Sequence, residues 1–500
     1  MNVESAILVF AILLFVAILV GKVGSRFGVP LLLLFMGVGM LAGSEGYGIQ
    51  FENFDYANSI GTVALCVILF SGGLDTRFGD IKPVWKQGIL LSTLGVLFTT
   101  LLTGSAIYVL FYFCVSDISL SIWEAMLLAA IMSSTDSAAV FSILRGKNLS
   151  SLKYNLRPML ELESGSNDPM AYMLVIVLVG IITGQTHGGW MITWMFVQQL
   201  AFGAMGGLLL GKLFVRILNK INLQYEALYP ICILAFALFT FSFINFINGN
   251  GYLAVYLCGL MLGNARFVHK RTAMNFFDGI SWLMQIVMFL CLGLLVTPSE
   301  LLPCILIGLA ISVIMILLSR PIAVIFCFLF LRKKERLQFR GFLFVSFVGL
   351  KGAVPIIFAI YPLVENVPHA KTLFNIVFII TIVSLLIQGT FLPFLAKKLH
   401  LTLPEGLSGK LKNFDFAFSD DVKSVMGEVE VTEEMLQKGN KIMHLDLPHN
   451  ALIIMIQRDS KYILPRGSIA LQPHDKLLII TDNEKALADI FAHLGIGAAE

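Results

Sequence analysis

Thirteen apolar stretches, near 4–22, 27–44, 59–75, 87–114, 122–144, 158–183, 189–216, 227–246, 250–264, 277–297, 301–331, 338–361 and 371–396, succeed one another with little between them. A helix needs about 20 apolar residues to cross a bilayer core, where only helices and closed barrels satisfy their own backbone groups. The pattern predicts a polytopic all-α membrane region of about 13 helices. Composition agrees: of 500 residues, 57% are hydrophobic and 13% charged, whereas soluble domains carry about 25% charged residues, and the mean hydropathy is +0.85. The first run opens at the initiator Met without a basic n-region. Lys22 and Arg26 follow it in place of a small-residue cleavage site, so it reads as a retained helix.

The short loops give orientation, because Lys and Arg collect on the cytoplasmic side. Odd-numbered segments are followed by Lys22/Arg26, Arg77/Lys82/Lys86, Arg145/Lys147/Lys153/Arg157, Lys212/Arg216/Lys220, Arg266/Lys270/Arg271 and the 332–336 cluster with Arg340. The even-numbered loops hold Lys371 alone. The N-terminus is therefore expected outside and the C-terminus inside. The net charge of +3 is accounted for by these loops, so nucleic acid is not an expected partner. The seven cysteines all fall in apolar segments without metal spacing, which reads as small core hydrophobes. The glycines of 37-GVGMLAG-43 suit close helix packing better than a nucleotide loop.

Past about residue 400 charge becomes frequent. Residues 405–418 look like a linker, 427–432, 451–460 and 476–481 have strand composition, and 433–439 and 484–495 have helical periodicity. The domain boundaries read as 1–398 for the membrane region, 399–418 for the linker and 419–500 for a small cytoplasmic α+β domain.

Ionisable residues are expensive inside a membrane and are read first as functional. Segment 5 carries 133-SSTDSAAV-140, and segment 6 carries 161-ELESGSNDPM-170. Asp136 lies ~21 Å from the outer end of its segment and Asp168 ~16 Å from the inner end of the next, at ~1.5 Å per residue, so the two carboxylates are expected at similar depth. Ser164/Asp168 and Glu163/Asn167 are each four apart and stack on adjoining stripes. Segment 12 is interrupted by 348-VGLKGAVPII-357. Segments 5 and 12 are seven apart, as inverted repeats would place them, and paired interruptions point to a transporter's midplane site. Asp136 and Lys351 have the signs needed to balance facing half-helix ends. Arg320 in 317-LLSRPIAV-324 requires a buried carboxylate. Asp136 and Glu163 each also admit a purely structural reading, as hydrogen-bonded groups.

Together with 249-GNGYLAVYLCGLMLGN-264, 319-SRP-321, 349-GLKGAVP-355 and 384-SLLIQGTFLPFLAKKL-399, these motifs resemble the cation:proton antiporter 1 family, in particular its NhaP-type bacterial potassium/proton antiporters. The resemblance implies an NhaA-like fold with inverted repeats and two broken crossing helices. It also implies a homodimer in the bacterial inner membrane and a cytoplasm-facing cavity leading to the ion site. It implies Asp168 as the shared proton and cation carboxylate, a site of Asp168, Asp136, Thr135, Ser164 and Asn167, and an alkali cation, K+ favoured over Na+, held at Asp168, Thr135 and Ser164. Glu163 with Arg320 is implied as a buried ion pair. The Asn167–Asp168 pair implies electroneutral exchange. Two positions depart from the family: Ser71 stands where many relatives are acidic, and Lys351 replaces a common Arg, so no role carries over to either. The run 453-IIMIQRDSKYILPRGSIALQPHDKLLIIT-481 resembles TrkA-C/RCK-C regulatory domains, with His474 in place of a usual Gly.

The chemistry can also be argued without the resemblance. A carboxylate held away from bulk water is neutralised by a proton or by a dehydrated alkali cation, not both, so competition for one site couples their movements. Oxygen ligands suit a hard cation. An RCK-regulated cation channel is the alternative, but a TVGYG filter is absent from the sequence. So is the GxGD pattern of an intramembrane aspartyl protease. The expected function is therefore transport, not catalysis, with no cofactor beyond the transported ions and any regulatory ligand of the tail.

Overall fold

The computed structural model describes residues 3–27, 30–51, 53–114, 119–146, 152–185, 188–332 and 337–402, and in the tail 425–431, 435–436, 440–445, 451–458, 461–473 and 475–481. The chain divides into two compact units, Met1–Thr402 and Leu403–Glu500.

The first unit is helical: α1 (Val3–Phe27), α2 (Leu31–Ala42), α3 (Phe54–Asp75), α4 (Phe78–Ile81), α5 (Trp85–Leu90), α6 (Val96–Cys114), α7 (Ile122–Ile131), α8 (Ser137–Gly146), α9 (Leu156–Ile182) and α10 (Gly189–Lys220). It continues with α11 (Leu228–Phe246), α12 (Gly251–Gly263), α13 (Lys270–Leu295), α14 (Pro298–Leu301), α15 (Ile305–Ile314), α16 (Arg320–Leu329), α17 (Phe339–Phe347), α18 (Val354–Val364), α19 (Ala370–Val383) and α20 (Gly389–Lys398). Among the described residues nine helices or continuous helix runs are long and apolar enough to cross a membrane, and four shorter apolar helices accompany them. This is a multi-pass helical membrane protein.

Three long helices contain a π-helical turn: Leu91–Gly95 joins α5 to α6, Met315–Ser319 joins α15 to α16, and Ser384–Gln388 joins α19 to α20. Two segments are broken outright. The α7 helix starts on a capping box between Ser121 and Glu124 and gives way to non-helical backbone before α8. There Ser133, Ser134, Thr135 and Asp136 offer side chains that compete for backbone groups. The α17 and α18 helices are separated by residues 348–353, where Gly349 and Gly352 tolerate the unwinding and Pro355 starts the next helix.

Small residues let the helices approach closely. A Cβ at Gly39 of α2 would lie 2.4 Å from Leu290 O of α13, and one at Gly73 of α3 would lie 2.3 Å from Tyr256 O of α12. Gly203, Gly207 and Gly211 repeat every four residues along α10 and pack against Asn250, Ala254 and Cys258. Asn250 also ties α12 to α9: its Oδ1 accepts from Leu253 N at 3.0 Å, and its Nδ2 donates to Pro169 O at 2.8 Å.

In the second unit β1 (Val425–Glu430), β2 (Ala451–Arg458), β3 (Lys461–Ile463) and β4 (Lys476–Thr481) form an antiparallel sheet in the order β1-β4-β2-β3. Val429 pairs with Leu477 and Ile453 with Ile479, and all four are buried in its core. The three strands read from the sequence are present. The three-residue β3, too short for a periodicity, is an addition to that reading. The linker 405–418 and the helix at 484–495 lie outside the described residues, as does most of the helix at 433–439.

Candidate functional site

The two breaks meet. Asp136 N donates to Leu350 O at 2.8 Å, and Lys351 Nζ reaches back to Ser134 O at 2.8 Å. The carboxylate of Asp136 serves both half-helices. Its Oδ1 accepts from Ala139 N at 2.9 Å, capping α8, and its Oδ2 faces Gly352 so closely that a Cβ there would lie 2.0 Å from it. A negative charge is favoured at both helix starts.

Helix α9 passes beside this crossing with Glu163, Ser164, Asn167 and Asp168 all buried. Ser134 Oγ donates to Asp168 Oδ1 at 2.5 Å. Ser164 Oγ donates to Thr135 O at 2.7 Å and accepts from Ser137 N at 3.1 Å. Asn167 Nδ2 donates to Thr135 Oγ1 at 2.5 Å. The helix thus ties both sides of the first break and fixes the carboxylate against it. Among the described residues the Asn167 Oδ1 atom is buried without a hydrogen-bond partner, an acceptor oxygen one residue from Asp168. The Ser164 hydroxyl, by contrast, is already committed to backbone on both sides.

Glu163 and Arg320 form a buried ion pair between α9 and the start of α16. Arg320 Nε faces a cavity of about 20 Å³, room for a single water, lined by Thr99, Ser133, Gly349, Lys351, Ser384 and Gln388 among others. Ser384 and Gln388, on the π turn between α19 and α20, support the second break. Ser384 Oγ accepts from Lys351 N at 2.9 Å and donates to Gln388 Oε1 at 2.5 Å, while Gln388 Nε2 donates to Phe347 O at 2.7 Å. Those bonds satisfy the backbone where α17 ends. Ser71 is buried on α3.

The family described as sodium/hydrogen exchanger, transmembrane, matches residues 10–398. The chain belongs to the sodium/hydrogen exchanger family. Its tail matches the TrkA-C domain over residues 426–492. The K(+)/H(+) antiporter NhaP of Alkalimonas amylolytica is 37% identical, across 96% of this chain and 81% of that protein. The K(+)/H(+) antiporter NhaP2 of Shewanella oneidensis is 36% identical, across 98% and 84%. The sodium proton antiporter MjNhaP1 of Methanocaldococcus jannaschii, at pH 8, superposes with a TM-score of 0.69 over 80% of this chain and 99% of that one, at 23% identity. That likeness shows the fold.

Within this exchanger-family chain the structure brings Thr135, Ser164, Asn167 and Asp168 into one hydrogen-bonded cluster, with Asp136 and Lys351 at its edge. Ser134, Gly352, Ser384, Gln388 and Asn250 belong to its support and carried no assigned role in the sequence. Ser384 and Gln388 had a signal, two polar residues four apart in an apolar run. Ser134 had none beyond its neighbours.

Proposed function

We propose that this protein exchanges protons for monovalent alkali cations, potassium in preference to sodium, with Asp168 as the shared carrier. The observation that carries this reading is a buried carboxylate fixed by Ser134 where two broken helices cross, beside the unpartnered Asn167 oxygen. The naming of 36–37% identical relatives as K(+)/H(+) antiporters supports potassium. In this mechanism Asp168 binds a proton or a cation in turn, Asn167 and Thr135 supply further oxygens, and Ser164 does so on exchanging one of its two backbone bonds for the ion. Asp136 and Lys351 hold the two breaks together, and the Glu163–Arg320 pair anchors α9. Because the proton and the cation each neutralise one carboxylate, the exchange is electroneutral.

We also read the membrane region as thirteen spans built from inverted repeats in an NhaA-like arrangement. In support, segments 5 and 12 are both broken and segments 4 and 11 both contain a π turn, each pair seven apart. The lysine and arginine distribution supports an outer N-terminus and a cytoplasmic tail. The family resemblance supports a homodimer in the bacterial inner membrane. The exchanger occupies 1–398, and 419–500 regulates it through a linker at 399–418.

Everted vesicles carrying an imposed pH gradient test the reading. Potassium and rubidium are expected to dissipate the gradient more strongly than sodium or lithium, and Asp168→Asn to abolish the response with insertion retained. Exchange in Asp168→Asn above a small fraction of wild type would remove this residue from the centre. Potassium flux without proton counterflow would favour a channel.

A further inference from the structure

A large cavity on the far side of α9 plays no part in this mechanism. It encloses about 580 Å³, within the ~300–1,000 Å³ of ligand pockets. Its walls include Leu162, Met170 and Met173 of α9, Leu200 of α10, and Leu257 and Leu260 of α12. At 3.6 residues per turn, Leu162, Ser166, Pro169 and Met173 share one stripe of α9, and Ser164 and Asp168 lie on the opposite one. The cavity therefore does not lead to the carboxylate, and its walls are predominantly apolar, with the Ser166 and Tyr256 hydroxyls among the few polar groups on them. The hydroxyls of Ser92 and Thr93, which also border it, already donate to Ile89 O at 3.1 and 2.7 Å.

One end differs in character. Phe78, Lys82, Trp85 and Ile89 line the cavity there and are all exposed, as Leu200 of α10 also is, so this end is a mouth. Lys86 sits beside it with its ammonium 5.9 Å from the centre of the Trp85 ring. An indole with flanking lysines is the composition of a membrane–water interface, and clustered basic residues at that level attract anionic headgroups. The cavity is thus amphipathic from end to end, with cations and an indole at the mouth and leucine and methionine within.

We infer that this pocket binds an anionic phospholipid, its headgroup at Lys82 and Lys86 and one acyl chain between α9, α10 and α12. The chain would lie against the back of the helix that carries Asp168.

The test uses the full-length protein, stripped of lipid in detergent and titrated with phosphatidylglycerol or phosphatidylcholine of identical acyl chains, with bound lipid counted by native mass spectrometry. Wild type is expected to favour phosphatidylglycerol, and Lys82→Gln and Lys86→Gln to reduce that preference by about fivefold for each lysine removed. Ala204→Phe, which places a ring into the cavity from α10, is expected to remove binding of both lipids. Equal binding of the two lipids by wild type would overturn the headgroup assignment, and undiminished binding in Ala204→Phe would overturn the pocket. A phosphatidylglycerol with a photoreactive acyl chain provides a readout on unmutated protein. Labelling of Met170, Met173 or Leu257 is expected, and labelling confined to other helices, or a second copy cross-linked into this groove, refutes the proposal.

Discussion

Asp136 is the residue on which both breaks depend, because one carboxylate oxygen caps α8 while the other lies against Gly352. Any side chain at Gly352 has to displace that oxygen, with a Cβ 2.0 Å away, whereas a Cβ at Gly349 would meet nothing nearer than Arg320 Nε at 3.5 Å. Overpacking of this kind costs about 1–3 kcal/mol. Gly352→Ala is therefore expected to lower the detergent melting temperature and suppress cation-dependent proton movement, and Gly349→Ala to leave both near wild type. Equal behaviour of the two variants would show that the Asp136 contact does not organise the crossing. At this scale the sequence was legible where a residue was costly. Glu163, Asp168, Arg320 and Lys351 stand out because charge in hydrocarbon demands an explanation. Ser134 is one hydroxyl of an interrupting cluster until it is seen on Asp168, and Gly352 is one of two glycines in the second interruption until the carboxylate is seen beside it.

Among elements, the two broken segments were readable because glycine, proline and clustered hydroxyls interrupt an apolar run. The π turns were not, since one extra residue per turn leaves the run of hydrophobic residues unchanged. Such turns are rare and concentrate at functional sites. The turn at Met315–Ser319 ends where Arg320 begins α16 and meets Glu163 of α9. The pair thus fastens two elements, and with both side chains buried, removing one partner leaves a desolvated charge at a cost of about 3–5 kcal/mol. Glu163→Ala and Arg320→Ala are each expected to lower the detergent melting temperature, and the double variant to recover part of the loss. Strictly additive losses in that cycle would mean that the pair does not couple α9 to α16.

For the whole molecule, the question is what the tail contributes to the exchanger. Asp475 anchors the sheet: Arg458 Nε and Nη2 donate to its two oxygens at 2.8 and 2.7 Å, and Gln472 N donates at 2.8 Å. Burial pushes the Asp475 carboxyl up, but the Arg458 and Gln472 hydrogen bonds outweigh it and hold it below the usual carboxylate range. A carboxyl depressed by folding stabilises the fold above its unfolded value and loses that contribution as pH falls through the folded one. The pair is therefore at full strength near neutrality. Hydrogen exchange on the full chain is expected to show β2 and β4 losing protection only below about pH 4, with Asp475→Asn less protected already at pH 7. Equal protection of that variant and wild type at pH 7 would remove the anchor. Any response of the exchanger near neutral pH must then arise elsewhere than in this pair. Regulation by a TrkA-C domain requires that it favour one state of the exchanger over another, since a ligand or domain shifts an equilibrium only by its differential affinity. Deleting the residues after Gly406 is thus expected to preserve exchange and cation preference in everted vesicles while changing the pH activation profile or the apparent cation affinity. A truncated protein that inserts normally yet moves no ions at any pH would make the tail part of the transport machinery.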